Sequence, residues 1–138
     1  MPVLIGLIQY GALARTDDGS PDPEPYRQAL TEIRRSARGD VLVADRHGEV
    51  VGLCQLVVFR HFQQHGELCA EIESLHVHPD HRSQGVGAQL VEAAVDAARR
   101  EGCYRVQLTS NLQRTEAHRF YAQHGFEATH VGFKRMLP

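Results

Sequence analysis

Glu67-Leu-Cys-Ala-Glu-Ile-Glu-Ser-Leu-His-Val-His-Pro-Asp-His-Arg-Ser-Gln-Gly-Val-Gly87, continued by Ala88-Gln-Leu-Val-Glu-Ala-Ala-Val-Asp-Ala-Ala-Arg-Arg-Glu101, decides how the rest of the chain is read. Leu68, Ala70, Ile72, Leu75 and Val77 stand among polar residues as in a half-buried strand, except that the alternation slips by one place around Ser74. Such a slip predicts a β-bulge. Pro79 and Asp80 end the strand. From Val86 onward, Leu90, Ala94, Val95 and Ala98 recur at helical spacing, and Arg99 and Arg100 suit the negative end of a helix dipole. Gly102 supplies the stop. The order is strand, tight basic turn, helix.

The turn is Arg82-Ser83-Gln84-Gly85-Val86-Gly87. The start of a helix exposes unpaired N–H groups and a positive dipole end, which together attract anions and phosphate above all. Glycines let an anion approach the backbone closely, and an arginine adds a charged, bidentate contact. No Gly-Lys-Ser/Thr follows, and the third glycine of a dinucleotide fingerprint is missing.

The 138 residues suffice for a single domain with its own core, taken here as 1–138. A formal net charge of −2 gives no electrostatic case for nucleic acid or an acidic membrane as partner. No apolar run reaches the roughly 20 residues that span a bilayer. The N-terminus shows neither a basic leader nor a small-residue cleavage site, so a cytoplasmic location is expected. Cys54, Cys69 and Cys103 form no CxxC pair and lie in apolar stretches, which predicts buried free thiols in a reducing compartment.

Residues 2–14 place Val3, Leu4, Leu7 and Ile8, with Tyr10 and Leu13, on one helical face, although Gly6 and Gly11 weaken a helix there. Residues 17–25 are rich in proline, glycine and acids and predict a loop. A second helix is expected over 25–38, with Tyr26, Leu30, Ile33 and Ala37 on one side and Gly39 as its stop. Strands follow at 41–44 and 50–60 around a turn, with Gly52 marking a bulge or a close approach. Beyond the central helix, 104–109 alternates as a strand, parallel to the central one because a crossover helix joins them. A short helix is expected over 115–124, capped by Thr115 and stopped by Gly125. Two terminal strands, 126–130 and 132–137, then form a hairpin. The sum is an α+β fold: one mixed, mostly antiparallel sheet flanked by helices.

Two motifs carry a resemblance to a known family. The turn is similar to the Arg/Gln-x-x-Gly-x-Gly/Ala loop of the GNAT superfamily of N-acetyltransferases. Independently, Ala117-His-Arg-Phe-Tyr-Ala-Gln-His-Gly-Phe126 resembles that family's Ala-x-x-Phe-Tyr-x-x-x-Gly-Phe signature. The resemblance covers roughly residues 40–138. It departs from the family at the N-terminus, where a first strand normally precedes the first helix; either that edge strand is missing or residues 3–8 supply it.

The resemblance implies direct acetyl transfer from acetyl-coenzyme A, as acyl-donor substrate, to an amine. Arg82, Ser83, Gln84, Gly85, Val86, Gly87 and Ala88 correspond to the pyrophosphate loop. The backbone of Leu75, His76 and Val77 corresponds to the segment that pairs with the pantetheine arm and polarises the thioester carbonyl. Tyr121 matches the tyrosine that protonates the leaving thiolate. An amine with a pKa of about 10.4 also needs a base at neutral pH. Glu73, acting directly or through water, is the first candidate and Glu71 the second.

Where many members carry asparagine, seven residues before the tyrosine, this chain has Arg114, with Asn111 nearby. Both are candidates to contact cofactor or an acidic substrate group. Locally, the run 109–121 resembles the bacterial aminoalkylphosphonate N-acetyltransferase branch. The nine histidines lack the spacing of a zinc site, so no metal is expected, and His118 is expected to be a structural hydrogen-bonder. A small primary amine is the leading acceptor; a protein or peptide amine, or an acyl-coenzyme A sensor without catalysis, are the alternatives. An uncovered sheet edge further predicts a homodimer.

Overall fold

A computed structural model describes residues 1–11 and 22–138. The elements in chain order are α1 (Pro2–Gly11), α2 (Glu24–Arg35), β1 (Gly39–Arg46), β2 (Glu49–Arg60), β3 (Leu68–Val77), α3 (Val86–Arg100), β4 (Cys103–Leu108) and α4 (Thr115–Gln123). Short 3-10 turns cover Gln64–Gly66 and Pro79–His81. The sheet runs β1-β2-β3-β4; β2 is antiparallel to both β1 and β3, and β4 is parallel to β3. The mixed sheet expected from the crossover helix is therefore present.

Alternation along β2 and β3 sends side chains to two separate layers. On one face Cys54, Leu56, Val58, Ala70 and Ile72 pack with Val86, Leu90, Ala94 and Ala98 of α3. Leu53 and Cys69 are buried but stand outside that cluster, as do Ile5 and Leu7 of α1. So α3 covers one face and α1 the other. Val91 of α3 is fully buried although it was absent from the expected stripe, whereas Val95 is only half-buried.

Several boundaries differ from the sequence expectation. Residues 3–8 are helical, so they supply no edge strand, and the residue that α1 buries beside Leu7 is Ile5 rather than the exposed Val3. The position of Leu13 and most of the expected loop at 17–25 lie outside the described residues. α2 ends at Arg35, with Ser36 N–H bonded to Glu32 and Ile33 carbonyls. Gly39 is not its stop: it opens β1 at φ +94°, where a Cβ would lie 2.4 Å from Leu56 O. Thr115 is not a cap either, because the N-cap position falls on Arg114 and no side chain caps the helix.

The terminal hairpin is absent. Residues 126–137 form no strand, and Val131, Phe133, Met136 and Leu137 are 65–92% exposed. Alternation specifies a face, but a strand also needs a partner and a core to cover, and these side chains meet neither. Of the three thiols, Cys54 and Cys69 are buried as expected; Cys103, the first residue of β4, is only partly so. No described helix is long and apolar enough to cross a membrane.

Candidate active site

The β3–β4 ladder runs from Leu68 opposite Cys103 to Ile72 opposite Leu108 and stops there. β3 continues for Glu73–Val77 with β2 on one side and, among the described residues, no strand on the other. A cleft opens between these residues and the chain leaving β4. Its inner wall is bent by the bulge foreseen at Ser74. Leu53 pairs with His76 and Gln55 with Glu73, so Cys54 alone faces both Ser74 and Leu75. Ser74 takes φ +53° to make the bend.

The basic turn closes one end of this cleft. Gly85 at φ +82° is the N-cap of α3, and an added Cβ would meet nothing within 4 Å, which leaves an open cradle over the first unpaired N–H groups of the helix. At Gly87 an added Cβ would meet Phe120 Cζ at 3.5 Å and Val77 Cγ2 at 3.7 Å, ordinary contact distances, so α4 and the end of β3 pack against the start of α3 beside the turn. Gly52 holds β2 against the same point: a Cβ there would lie 3.0 Å from Leu90 Cδ1, 3.1 Å from His76 O and 3.2 Å from Val86 Cγ1. That is the close approach its position in the strand predicts.

Gln84 turns back into the turn itself, its Nε2 donating to Asp80 O at 3.2 Å and its Oε1 accepting from Arg46. Arg46, at the end of β1, is a residue that the local motif gives no sign of. Arg82 donates through Nε to Val77 O at 3.3 Å, which leaves the rest of its guanidinium for an anion.

α4 brings Tyr121 to the bulge. Its half-buried ring stands edge-on to Phe120 and Phe126, with centroids at 5.3 and 5.9 Å. Burial raises its phenol pKa above the ordinary 10; the nearby Arg114 opposes the rise and Cys54 adds to it. Burial also pushes the Cys54 thiol up to about 11, so it stays protonated and is no nucleophile. His76 is shifted the other way, below 6.5, by burial and then by Arg114 and Arg82. Four residues from three parts of the chain, His76, Arg82, Arg114 and Tyr121, thus share one electrostatic neighbourhood.

Asn111 lies in the turn that leads to Arg114. Its side chain accepts the Gln113 N–H at 2.9 Å, and its carbonyl accepts from His118 Nε2 at 2.9 Å and from Arg114 N at 3.0 Å. It shapes the turn before α4, and His118 is the structural hydrogen-bonder expected of it.

The carboxylates lie on the α1 face. Glu71 accepts from Gln107 Nε2 at 2.9 Å. Glu73, open to solvent, has its pKa raised above 4.5 by partial desolvation, then by a hydrogen bond to Glu71 and that neighbour's charge, while Lys134 opposes the rise. Two hollows of about 300 and 210 Å³ lie elsewhere, around Leu30 and Arg34 of α2.

A strand with one free edge, a glycine cradle at a helix start and a half-buried tyrosine are thus found in one chain, and the family model described as acetyltransferase (GNAT) matches residues 9–126. The chain belongs to the GNAT acetyltransferase family. That family uses acetyl-coenzyme A as acyl donor. The aminoalkylphosphonate N-acetyltransferase of Salmonella typhimurium is 38% identical over 95 residues, 69% of this chain and 61% of that protein. A mycothiol acetyltransferase of Sanguibacter keddieii is 30% identical over 130 residues, 94% of this chain and 38% of that protein. The chain therefore spans less than two thirds of either relative. Among solved structures, a transcriptional regulator from Bacillus halodurans superposes with a TM-score of 0.90 at 33% identity, covering 97% of this chain and 91% of that one.

Proposed function

We propose that this domain transfers the acetyl group of acetyl-coenzyme A directly to a primary amine of a small molecule. The observation that carries the reading is that Val77, the last residue of the free edge, and Phe120, the neighbour of Tyr121, both lie against Gly87 of the glycine turn. The cradle, with Ser83, Val86 and Ala88 around it and Arg82 beside it, fits a pyrophosphate: it offers unpaired N–H donors, an arginine and room where a Cβ would intrude. Backbone groups of Leu75, His76 and Val77 meet the pantetheine arm and polarise the thioester carbonyl. Arg114 holds negative charge near that end of the cleft. Glu73, paired with Glu71, draws in the cationic amine and takes its proton, directly or through water. Tyr121 supplies the proton that the departing thiolate needs. The two curated relatives named above, one aminoalkylphosphonate and one mycothiol acetyltransferase by name, support a small-molecule acceptor.

The name of the Bacillus halodurans protein favours a second reading, an acyl-coenzyme A sensor without transfer. Release of free thiol from acetyl-coenzyme A across a panel of amines separates the two. A catalyst releases thiol only with an amine present; a sensor is stabilised by acetyl-coenzyme A and releases none. Gly85→Val is the control, since a β-branched residue is strained at φ +82° and fills the cradle. It should weaken acetyl-coenzyme A binding by about tenfold or more, the scale of one lost charge-assisted contact. Equal binding by folded Gly85→Val would remove the cradle from the site. Among the described residues β1 and β4 each have one strand neighbour, which supports a homodimer across a sheet edge; the light-scattering mass at micromolar concentration decides it.

A further inference from the structure

The transfer proposed above has a proton balance that a single base does not satisfy. A protonated primary amine carries three N–H bonds and its amide product one. One proton must leave before the nitrogen lone pair can attack, and a second after the N–C bond has formed.

The bulge determines which side chains stand ready for the second. Three residues apart in an unbroken strand, Glu73 and His76 would point to opposite faces. Because Cys54 alone faces Ser74 and Leu75, Glu73 comes opposite Gln55 and His76 opposite Leu53. Gln55 and Leu53 are two apart and share a face, and so do their partners. The bulge thus turns His76 onto the face of Glu71 and Glu73. There His76 is half-buried while Glu73 is open to water. His76 is also the middle residue of Leu75–Val77, so its side chain leaves the strand beside the thioester position. Glu73 lies two β2 residues further along, about 7 Å.

We propose that His76 is a catalytic residue of this domain: its imidazole accepts the second proton, from the nitrogen of the tetrahedral adduct, after Glu73 has taken the first from the ammonium. The assignment rests on the transfer reaction proposed above. As the C–S bond breaks, its electron pair goes to sulfur and the Tyr121 hydroxyl protonates the thiolate. The imidazolium proton returns through water to the Tyr121 phenolate, and the Glu73 proton passes to solvent. One proton ends on sulfur and one in solvent, which closes the balance.

The charges around His76 suit a proton acceptor. Arg82 from the turn before α3 and Arg114 from the start of α4 disfavour a second positive charge. Glu71 and Glu73 are the acids on the same face of its own strand, with Lys134 beside Glu73. β2 contributes Leu53 and Gln55, and α1 the apolar Ile5 and Leu7, none of them charged. Burial and the two arginines prevail, and the imidazole is neutral at pH 7.

The test is acetyl transfer to the best amine as a function of pH, for the parent, His76→Gln and Glu73→Gln. The parent should lose kcat as pH falls through a midpoint below 6.5. His76→Gln should lose that limb and about 10²-fold in kcat at pH 7, the low end for a proton-transfer group, with KM for acetyl-coenzyme A within about twofold. Glu73→Gln should keep the limb. His76→Ala, a second route if the first variant folds poorly, should regain rate with added imidazole. A folded His76→Gln that keeps both its limb and a kcat within about threefold of the parent overturns the assignment alone, as does a failed imidazole rescue. A parent that transfers to no amine overturns it together with the reaction.

Discussion

The two halves of β3 share one neighbour and differ in the other. Leu68–Ile72 is paired by β2 on one side and β4 on the other, and its core residues Cys69, Ala70 and Ile72 are buried. Glu73–Val77 has β2 alone; Glu73 and Ser74 are exposed, and the backbone kinks at Ser74. A paired strand has already used its hydrogen-bonding groups. A strand with a free edge still offers a row of them to a ligand. The same ten residues therefore hold the sheet together at one end and present it at the other, and substitutions in the two halves should fail in different ways.

The largest effect is expected where α4 meets the free half. Tyr121→Phe keeps the ring that packs on Phe120 and Phe126 and removes only the hydroxyl. If that hydroxyl protonates the thiolate, single-turnover acetyl transfer should fall by about 10²–10⁴-fold, roughly 3–5 kcal/mol of barrier, while acetyl-coenzyme A affinity and Tm stay nearly constant. A drop of less than about tenfold would mean that water also delivers the proton. Equal rates would leave Tyr121 as packing and would break the link between the open half and the chemistry.

Next comes the closed half. Ala70 is fully buried against the α3 layer, so Ala70→Leu adds three carbons where no space exists. Overpacking of this kind costs about 1–3 kcal/mol. The denaturant midpoint should drop accordingly, while kcat per folded molecule stays within about twofold. A variant of unchanged stability but crippled turnover would show that the two ends of β3 are not separable.

How legible each half was follows from how local its cause is. The bulge shows in the sequence because one extra residue in a strand shifts the parity of every apolar position after it, and Leu75 and Val77 carry that shift. The Gly85 turn and Tyr121 likewise belong to short motifs. Arg46 could not be found this way: it reaches Gln84 across 38 residues, and nothing near it in sequence marks the pair. Gly39 misled for a related reason. A glycine is visible in a sequence, but whether it stops a helix or makes room for Leu56 O depends on what packs against it. The alternation at 126–137 misled because it states a face without stating a partner.

The smallest effect concerns the junction between the halves, where Glu71, beside Gln107, meets Glu73 beyond the end of the ladder. Partial desolvation and the neighbouring carboxyl raise the pKa of Glu73 in the fold above 4.5, so the folded state binds its proton more tightly than the unfolded chain does. The sign follows by linkage. The parent suffers no loss from this group below the unfolded value; it loses stability as pH rises from 4.5 through the raised folded value, and the loss stays constant above that. Glu73→Gln removes the charge and the repulsion with it. The variant should therefore melt higher than the parent at pH 7, by on the order of 1–2 °C because solvent screens the pair, and the difference should vanish near pH 4. Paired melting curves of parent and Glu73→Gln between about pH 4 and 7.5 test this. A Tm gap independent of pH would mean that the two carboxyls do not share a proton. The acid at the mouth of the cleft would then be an ordinary surface glutamate, tied neither to the closed half of the strand nor to the amine.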